Sequence, residues 1–288
     1  MFTVSFALAK SMFFVSPSRN NLTLRGNFGI TGRVHQFNRM EHIPFMLLLF
    51  VVGIVAGILN VMAGGGSAIT LPMLIFLGLD SPLANGTNRL AVFIQCIATI
   101  ISFRRENYSD LKTSMRLAAC ALPGAVLGAI AAVKMDSLVF QKVLGIFILV
   151  MVATVFIPKS GKNERQTGES SGGWLIYPVM LGIGFIGGLH QVGIGFFMIA
   201  ALRHLMNMDL VRINMHKAAV FFIYTIPAMV VFGVTGNIDW PLGLVLAAGN
   251  ATGGWWAAKI SVRRGEKVIR VVLVIAMIIM AIKLLVSF

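Results

Sequence analysis

Long apolar runs alternate with short polar segments along this chain, and the runs approach the length of membrane-crossing helices. A helix needs about 20 predominantly apolar residues to cross a bilayer. The pattern predicts single spans at residues 90–103, 117–133, 139–157, 218–232, 242–258 and 268–286. The chain is therefore expected to be an all-α membrane protein with several crossings.

Two other apolar segments, residues 44–78 and 174–207, are interrupted near the middle by glycines. As one continuous helix the first would be roughly 52 Å long, whereas two full crossings need about 60 Å of helix. Each segment is therefore predicted to form two short helices or a re-entrant hairpin. The first is expected to turn at Gly64, Gly65 and Gly66.

The two glycine-broken segments belong to an internal repeat with an offset of 129 residues, the separation of Asp80 and Asp209. The same offset joins identical residues at further positions: Gly53/Gly182, Gly64/Gly193, Gly66/Gly195, Asn85/Asn214, Phe103/Phe232 and Gly124/Gly253. Glycine-rich apolar segments align with each other easily, but chance would not also align aspartate with aspartate and asparagine with asparagine. A period this long indicates a duplicated half and not a solenoid.

The repeat divides the chain into a first transmembrane half at residues 44–157, a polar linker at 158–173 and a second half at 174–288. Each half is predicted to contain one glycine-broken helical hairpin and three transmembrane helices. Residues 1–43 are basic, contain only Glu41 as an acidic residue and lack a long apolar core. They are interpreted as a targeting segment or as the result of a start codon assigned too early. The second interpretation, with Met40 as the true start, is favoured, and the segment is left out of the fold.

Basic residues are distributed unequally between matching loops of the two halves. The loop after Phe103 is rich in arginine and lysine, whereas its counterpart after Phe232 has no basic residue. The turn at Asp209 is more basic than the turn at Asp80. Because short basic loops favour the cytoplasmic side, the two halves are predicted to insert in opposite orientations, as inverted repeats.

The composition supports a membrane protein, since 57% of the 288 residues are hydrophobic and the mean hydropathy is +0.87. The formal net charge of +14 lies mainly in loops and in the N-terminal segment, where it sets topology. No nucleic-acid partner is therefore expected. Cys96 and Cys120 lie in apolar spans without CxxC or Cys/His spacing, so neither a disulfide framework, a metal site nor a cofactor is expected.

Polar residues within the apolar segments form the candidate site, because such groups are costly in a bilayer unless they are buried or line a cavity. Glycine-interrupted segments at matching positions of two halves also mark binding sites in transporters. In the first half, the helix is predicted to open at Asn85 and to place Asn88, Gln95 and Thr99 on one face. In the second half, the helix from Asn214 presents a similar polar face.

The predicted site is rich in hydrogen-bond donors and poor in carboxylates. Helix N-termini offer unpaired N–H groups, and glycine lets a backbone N–H approach a ligand closely. Asp80 and Asp209 lie at turns and are predicted to be helix N-caps, which leaves Arg89 and Lys217 as cations without an acidic partner. The pattern favours a small oxyanion. The predicted substrate-binding residues are Asn60, Gly64, Gly65, Gly66, Ser67, Asn85, Thr87, Asn88, Arg89, His190, Gln191, Asn214 and Lys217.

Each of these residues also has a structural interpretation. The side chains of Arg89 and Lys217 could extend to lipid headgroups from interfacial positions. Polar residues such as Gln95 and Thr99 commonly join helices without binding a ligand, and His190 is either a proton relay or a packed histidine. Close helix packing is predicted at four glycines: Gly124, Gly128, Gly253 and Gly254.

Several of these segments occur in a recognisable order: Gly64-Gly65-Gly66 with Leu71-Pro72, residues 84–89, Phe103-Arg104-Arg105, residues 214–218, and residues 236–240 before Gly249. In this order the chain beyond its first 40 residues resembles the TauE/SafE sulfite exporter family of membrane permeases. It departs from the family pattern at the second turn, residues 187–193, and at Ala201, which stands opposite Pro72. The family moves sulfur oxyanions such as sulfite, sulfoacetate and related sulfonates, so the resemblance implies an anion permease without fixing its substrate.

We therefore expect a multi-pass protein of the cell inner (plasma) membrane that moves a small anion, such as sulfite or an organosulfonate, by alternating access. An enzyme is not expected, because the spans hold no paired carboxylates and no nucleophile–base or metal constellation. The alternatives are a passive anion channel and a membrane-embedded binding or receptor protein. The expected partners are the anionic substrate and the lipid bilayer, and the sequence leaves open whether the chain forms a homo-oligomer.

Overall fold

A computed structural model of the chain describes residues 43–136, 138–140, 142–143, 146, 173–273 and 275. These residues form helices joined by short turns and contain no β-strand, as the sequence predicts. The principal helices are α1 (Ile43–Met62), α2 (Ser67–Phe76), α3 (Ser81–Arg105), α4 (Leu111–Lys134), α5 (Ile176–Leu189), α6 (Ile194–Met206), α7 (Leu210–Val234) and α8 (Trp240–Arg264). The predicted N-terminal segment at residues 1–43 lies outside the described residues except for Ile43.

Within the described residues, four helices are long and apolar enough to cross a membrane: Pro44–Met62, Ser81–Arg105, Leu111–Lys134 and Leu210–Val234. Helices α2, α5 and α6 are also apolar but shorter, with 10, 14 and 13 residues. At 1.5 Å per residue, α2 covers only about half of a 30 Å hydrocarbon core. The predicted spans at 90–103, 117–133, 218–232 and 242–258 all lie inside described helices, whereas those at 139–157 and 268–286 lie largely outside the described residues.

Aspartate residues occupy the N-cap positions of α3, α4, α7 and α8, and they form two pairs at the 129-residue offset: Asp80/Asp209 and Asp110/Asp239. The predicted N-cap positions of Asp80 and Asp209 are confirmed. The Asp209 side chain accepts a hydrogen bond from the Arg212 amide at 2.9 Å, whereas the Asp80 side chain makes no capping hydrogen bond. The Thr113 amide donates to Asp110 at 3.1 Å. This bond lowers the pKa of the Asp110 carboxyl group, because it stabilises the ionised form.

The prediction that two helices open at Asn85 and Asn214 is wrong, because α3 begins at Ser81 and α7 at Leu210. Each helix thus begins about one turn earlier than predicted. A proline in the first turn of α3 favours this earlier start, since its missing N–H would be unpaired there in any case. The polar residues that follow are helical and buried, so they do not need to lie in a loop.

Glycines bring helices of the two halves into backbone contact. The most extensive helix contacts join α1 to α8, α4 to α5 and α3 to α8. In the first two pairs, a Cβ atom added to any of several glycines would lie within 3 Å of a carbonyl oxygen of the facing helix: Gly53, Gly57, Gly249 and Gly253 between α1 and α8, and Gly124, Gly128, Gly184 and Gly188 between α4 and α5. The predicted packing role is confirmed for Gly124, Gly128 and Gly253, and Gly254 packs against the side chains of Gln95 and Thr99.

We predict that Gly128→Ala destabilises the protein by about 1–3 kcal/mol, the usual cost of overpacking a tight interface. The added methyl group would lie 2.0 Å from the Phe185 carbonyl oxygen. Gly182→Ala is the matched control, because a Cβ atom at Gly182 meets nothing within 4 Å. Melting curves of the purified variants in detergent measure the difference, and equal melting temperatures for both would contradict the tight contact between α4 and α5.

Candidate functional site

The first glycine block reverses the chain between α1 and α2. A Cβ atom at Gly66 would lie 2.1 Å from the Ala56 carbonyl oxygen, whereas one straight helix would separate these residues by about 15 Å. Gly64 has φ +85°, a conformation that glycine adopts without strain. The turn predicted at Gly64, Gly65 and Gly66 is therefore confirmed, and it joins a helix of crossing length to a half-length helix.

The glycine turns of the two halves touch each other. A Cβ atom at Gly64 would lie 2.4 Å from the backbone of Gly195, and one at Gly195 would lie 2.3 Å from the Cα atom of Gly64. The repeat counterpart of Gly64 is Gly193, and it also has a positive φ, +68°. The two turns therefore each have a glycine with a positive φ at matching positions, and no side chain separates Gly64 from Gly195.

Arg89 and Asn85 of α3 bind the carbonyl groups at the end of α5. Arg89 Nη2 donates to the Gly187 oxygen at 3.0 Å and to the Gly188 oxygen, and Asn85 Nδ2 donates to the Leu189 oxygen at 2.8 Å. The last carbonyl groups of a helix lack partners within it and form the negative end of its dipole. The first half thus caps the glycine-broken helix of the second half.

Lys217 of α7 makes the reciprocal contact with the end of α1. Its Nζ atom donates to the Val61 oxygen at 2.8 Å and to Asn214 Oδ1 at 2.9 Å. Arg89 is 0% exposed and Lys217 is 2% exposed. Neither side chain therefore extends to lipid headgroups, and the interpretation of these residues as interfacial anchors is wrong.

Asn60 of α1 is connected to α3 through Gln95. Asn60 Nδ2 donates to Gln95 Oε1 at 3.0 Å, and Gln95 Nε2 donates to the Gly57 oxygen at 3.2 Å. Gln95 therefore joins two helices, as its structural interpretation predicts. The bond also fixes Asn60 within the last turn of α1.

The start of α2 is connected to α3 through Asn88. Asn88 Nδ2 donates to Ser67 Oγ at 3.2 Å, and Thr70 Oγ1 donates to Asn88 Oδ1 at 2.6 Å. Ser67 and Asn88 are both buried. The glycine block and the polar stretch that follows it in sequence are therefore in direct contact.

His190 and Gln191 form the turn of the second half and are buried. His190 Nδ1 accepts a hydrogen bond from the Val192 amide at 3.2 Å, which holds the ring within its own turn. Gln191 has a positive φ of 58°, and its Nε2 atom donates to Thr225 Oγ1 on α7 at 3.3 Å. Both residues are thus next to the end of α5 that Arg89 caps.

Two other predicted residues make contacts elsewhere. Thr87 Oγ1 accepts a hydrogen bond from the Asp239 amide at 2.9 Å, which joins α3 to the turn before α8. The Gly65 oxygen accepts a bond from the Ala68 amide at 3.0 Å, which begins α2. The structure therefore places Thr87 at a helix junction and Gly65 in the backbone of the first turn.

A small cavity lies between the two halves beside Lys217. The space open to the centre of a water molecule is about 10 Å³, and it is lined by Asn60, Val61, Gln95, Cys96, Thr99, Asn214, Lys217, Ala218 and Phe221. This space is about enough for one water molecule. Asn60, Asn214 and Lys217 are predicted site residues, and Gln95 and Thr99 also line the cavity.

The centre carries two positive charges without a carboxylate partner among the described residues. Arg89 stacks over the Phe232 ring at 5.0 Å, and its Nε and Nη1 atoms are buried without a hydrogen-bond partner in the described part of the chain. The ion pairs of arginine with carboxylates lie elsewhere: Arg203–Glu266, Arg212–Asp209, Arg263–Glu106 and Arg270–Glu266. A buried cation without a counter-charge favours an anionic ligand.

Sequence reasoning missed the carbonyl groups of Val61, Gly187 and Gly188 as partners of the cations. Backbone acceptors have no residue-type signature, but these residues lie in the last turn of a helix that a glycine block ends, and that position could have indicated them. Asn250 was also missed, and its Oδ1 atom is buried without a partner among the described residues.

Apolar helices of crossing length around a buried, basic polar centre define a multi-pass membrane protein of the transporter class. The sequence profile described as Sulfite exporter TauE/SafE matches residues 49–284. The chain therefore belongs to the TauE/SafE family, as the resemblance of its motifs indicates.

Three curated relatives are named as probable membrane transporter proteins. One from Haemophilus influenzae is 28% identical over 84% of this chain and 95% of its own length. One from Sinorhizobium, ORF9, is 29% identical over 85% and 95%, and YfcA of Escherichia coli K12 is 26% identical over 86% and 93%. No solved structure matches this chain.

We predict that Gly64→Ala destabilises the fold more than Gly78→Ala, by about 1–3 kcal/mol, because it adds a steric clash. Both residues have a positive φ, +85° and +92°, but only Gly64 contacts another backbone. The strain of the left-handed conformation, about 1–2 kcal/mol, is therefore common to both variants. Melting temperatures in detergent give the comparison, and a Gly64→Ala protein as stable as Gly78→Ala would contradict the contact with Gly195.

Proposed function

We propose that this transporter moves a small anion, with a sulfur oxyanion such as sulfite or an organosulfonate as substrate, by alternating access. The observation that carries the proposal is the burial of Arg89 and Lys217 without a carboxylate partner among the described residues. A buried charge is expensive unless it is paired. An anion that enters between the halves would supply the missing negative charge.

The dipoles of the helix ends near the glycine turns also support a negatively charged substrate. The C-termini of α1 and α5 present partial negative charge, and Lys217 and Arg89 offset it through hydrogen bonds to Val61 and to Gly187. The N-termini of α2 and α6 follow directly after the same turns and present partial positive charge. The sum of these fields favours a negative ligand.

The choice of a sulfur oxyanion rests on the family description, Sulfite exporter TauE/SafE. The named relatives are described as probable membrane transporters without a substrate. The donor groups at the centre suit sulfur oxyanions, whose charged oxygens accept several hydrogen bonds.

We also propose that the two halves, residues 44–157 and 174–288 around the linker 158–173, are inverted repeats. The start of α8 bonds to α3 near its start, through Asp239 and Thr87 at 2.9 Å. The two helices also meet at their ends, where Arg263 pairs with Glu106 at 3.0 Å. These contacts support a common direction for α3 and α8.

The contacts of α4 support opposite directions for α3 and α7, the helices that match at the 129-residue offset. Ser114 at the start of α4 bonds to His216 near the start of α7 at 2.8 Å. The start of α4 follows the end of α3 after a short loop, so α7 begins where α3 ends. Opposed halves of this kind allow alternating access by rocking around a shared centre.

Uptake of ³⁵S-sulfite into proteoliposomes tests the transport proposal. We expect Arg89→Gln and Lys217→Gln to reduce the initial rate at least roughly ten-fold, since the loss of one hydrogen bond to a charged group costs about 1.5–3 kcal/mol. Arg212→Gln is the matched control, because that cation lies on α7 but its side chain is 65% exposed. Normal flux in both centre variants would remove Arg89 and Lys217 from the transport site, and unitary conductance in a voltage-clamped bilayer would indicate a channel.

Cysteine labelling tests the orientation of the halves. In a Cys96→Ser/Cys120→Ser background, Ser109→Cys marks the loop between α3 and α4, and Thr235→Cys marks the matching loop between α7 and α8. Both positions are exposed. We expect a membrane-impermeant maleimide to label Thr235→Cys from outside intact cells and Ser109→Cys only after permeabilisation, because the loop near Ser109 is basic. Labelling of both from the same side would contradict inverted repeats.

A further inference from the structure

The cavity beside Lys217 contains buried polar atoms that have no partner among the described residues. Thr99 Oγ1 and Asn214 Nδ2 both belong to residues that line it, and neither atom makes a hydrogen bond in the described part of the protein. Thr99 and Asn214 are each only 1% exposed. Because buried polar groups are normally paired, two such atoms beside one cavity indicate a ligand.

The unpaired groups at this cavity can all donate hydrogen bonds. Lys217 has three N–H groups, and its hydrogen bonds to Val61 and Asn214 involve two of them. The Asn214 side-chain oxygen accepts from Lys217, so its NH₂ group is left as a donor. The Thr99 hydroxyl can also donate. No carboxylate lines the cavity, so the matching ligand group is one that accepts hydrogen bonds.

Resting on the proposed anion transport, we infer that this cavity is the anchor of the anion. One oxygen of the oxyanion enters it and accepts hydrogen bonds from Thr99, Asn214 and Lys217. Thr99 and Asn214 are then specificity-determining residues. Thr99 was read from the sequence only as a residue that joins helices.

The size of the cavity limits how much of the anion it holds. A cavity volume of about 10 Å³ is enough for one atom the size of a water oxygen. An oxyanion can place a single oxygen there while its central atom and other oxygens remain outside. An ammonium group has no hydrogen-bond acceptor and would meet these donors with its own hydrogens, so the site selects against cations.

Arg89 acts differently in this arrangement. It does not line either of the two cavities described in this part of the chain, and its Nη2 atom is held by the carbonyl groups of Gly187 and Gly188. Arg89 therefore does not contact the oxygen held in this cavity; it contributes charge and holds the end of α5, whereas Lys217 contacts that oxygen.

The test measures the dissociation constant of sulfite for the purified protein by titration calorimetry. Thr99→Val removes the hydroxyl group at nearly constant volume, and Thr99→Ser restores it. Thr252→Val is the matched control, because the exposed Thr252 hydroxyl already donates to the Ala248 oxygen at 2.8 Å. Asn214→Leu tests the second donor, and the melting temperature of every variant confirms that it is folded.

We expect Thr99→Val and Asn214→Leu to weaken sulfite binding roughly ten-fold or more, which corresponds to one hydrogen bond to a charged group. Thr99→Ser and Thr252→Val should bind as the parent protein does. If the parent binds sulfite and Thr99→Val binds it equally well, the cavity holds only water and this inference fails while anion transport stands. If the parent protein binds none of sulfite, sulfate and taurine, the proposed function fails and the anchor with it.

Discussion

The structure depends on hydrogen bonds between the halves. Each half donates to the unpaired carbonyl groups at the end of the other half's glycine-broken helix. The last carbonyl groups of a helix lack partners within it, and where these groups are buried the protein itself must supply the donors. In this protein, Arg89 and Asn85 bind the end of α5, and Lys217 binds the end of α1. The glycine turns are tolerated because each half carries the donors that the other half needs. The two halves are therefore mutually required, and neither could present its turn to lipid alone.

The same contacts organise the polar centre. Cations that compensate the negative helix ends leave the positive N-termini of α2 and α6 as the uncompensated dipoles near the turns. The lining of the small cavity beside Lys217 includes residues with donor groups that have no hydrogen-bond partner among the described residues. In the proposed site, stability and ligand affinity would use the same side chains, and Lys217 would join the two roles because it bonds both to the end of α1 and to Asn214.

The sequence predicts the helical class, the position of the first turn and the packing glycines, because these follow from local pattern and from the period of the repeat. Glycine at positions such as Gly124 and Gly253 has few other uses in an apolar helix. The sequence places two helix starts about one turn too late, at Asn85 and Asn214 instead of Ser81 and Leu210, because these buried polar residues resemble a helix N-terminus until their tertiary partners are known. The partners of Arg89 and Lys217 were also missed, because they are backbone carbonyl groups that are distant in sequence and have no residue-type signature; only their position at the end of a glycine-broken helix could have indicated them. Thr99 is assigned to a cavity only when α3 and α7 are placed side by side.

The contact between Gly64 and Gly195 has a mechanical consequence. Two side chains in contact can change rotamer and absorb a small displacement, but two backbones cannot. Because a Cβ atom at either glycine would overlap the other turn, the two backbones are in contact with no gap between them. A displacement of one turn would therefore push directly on the backbone of the other, and the two glycine turns would shift as one unit.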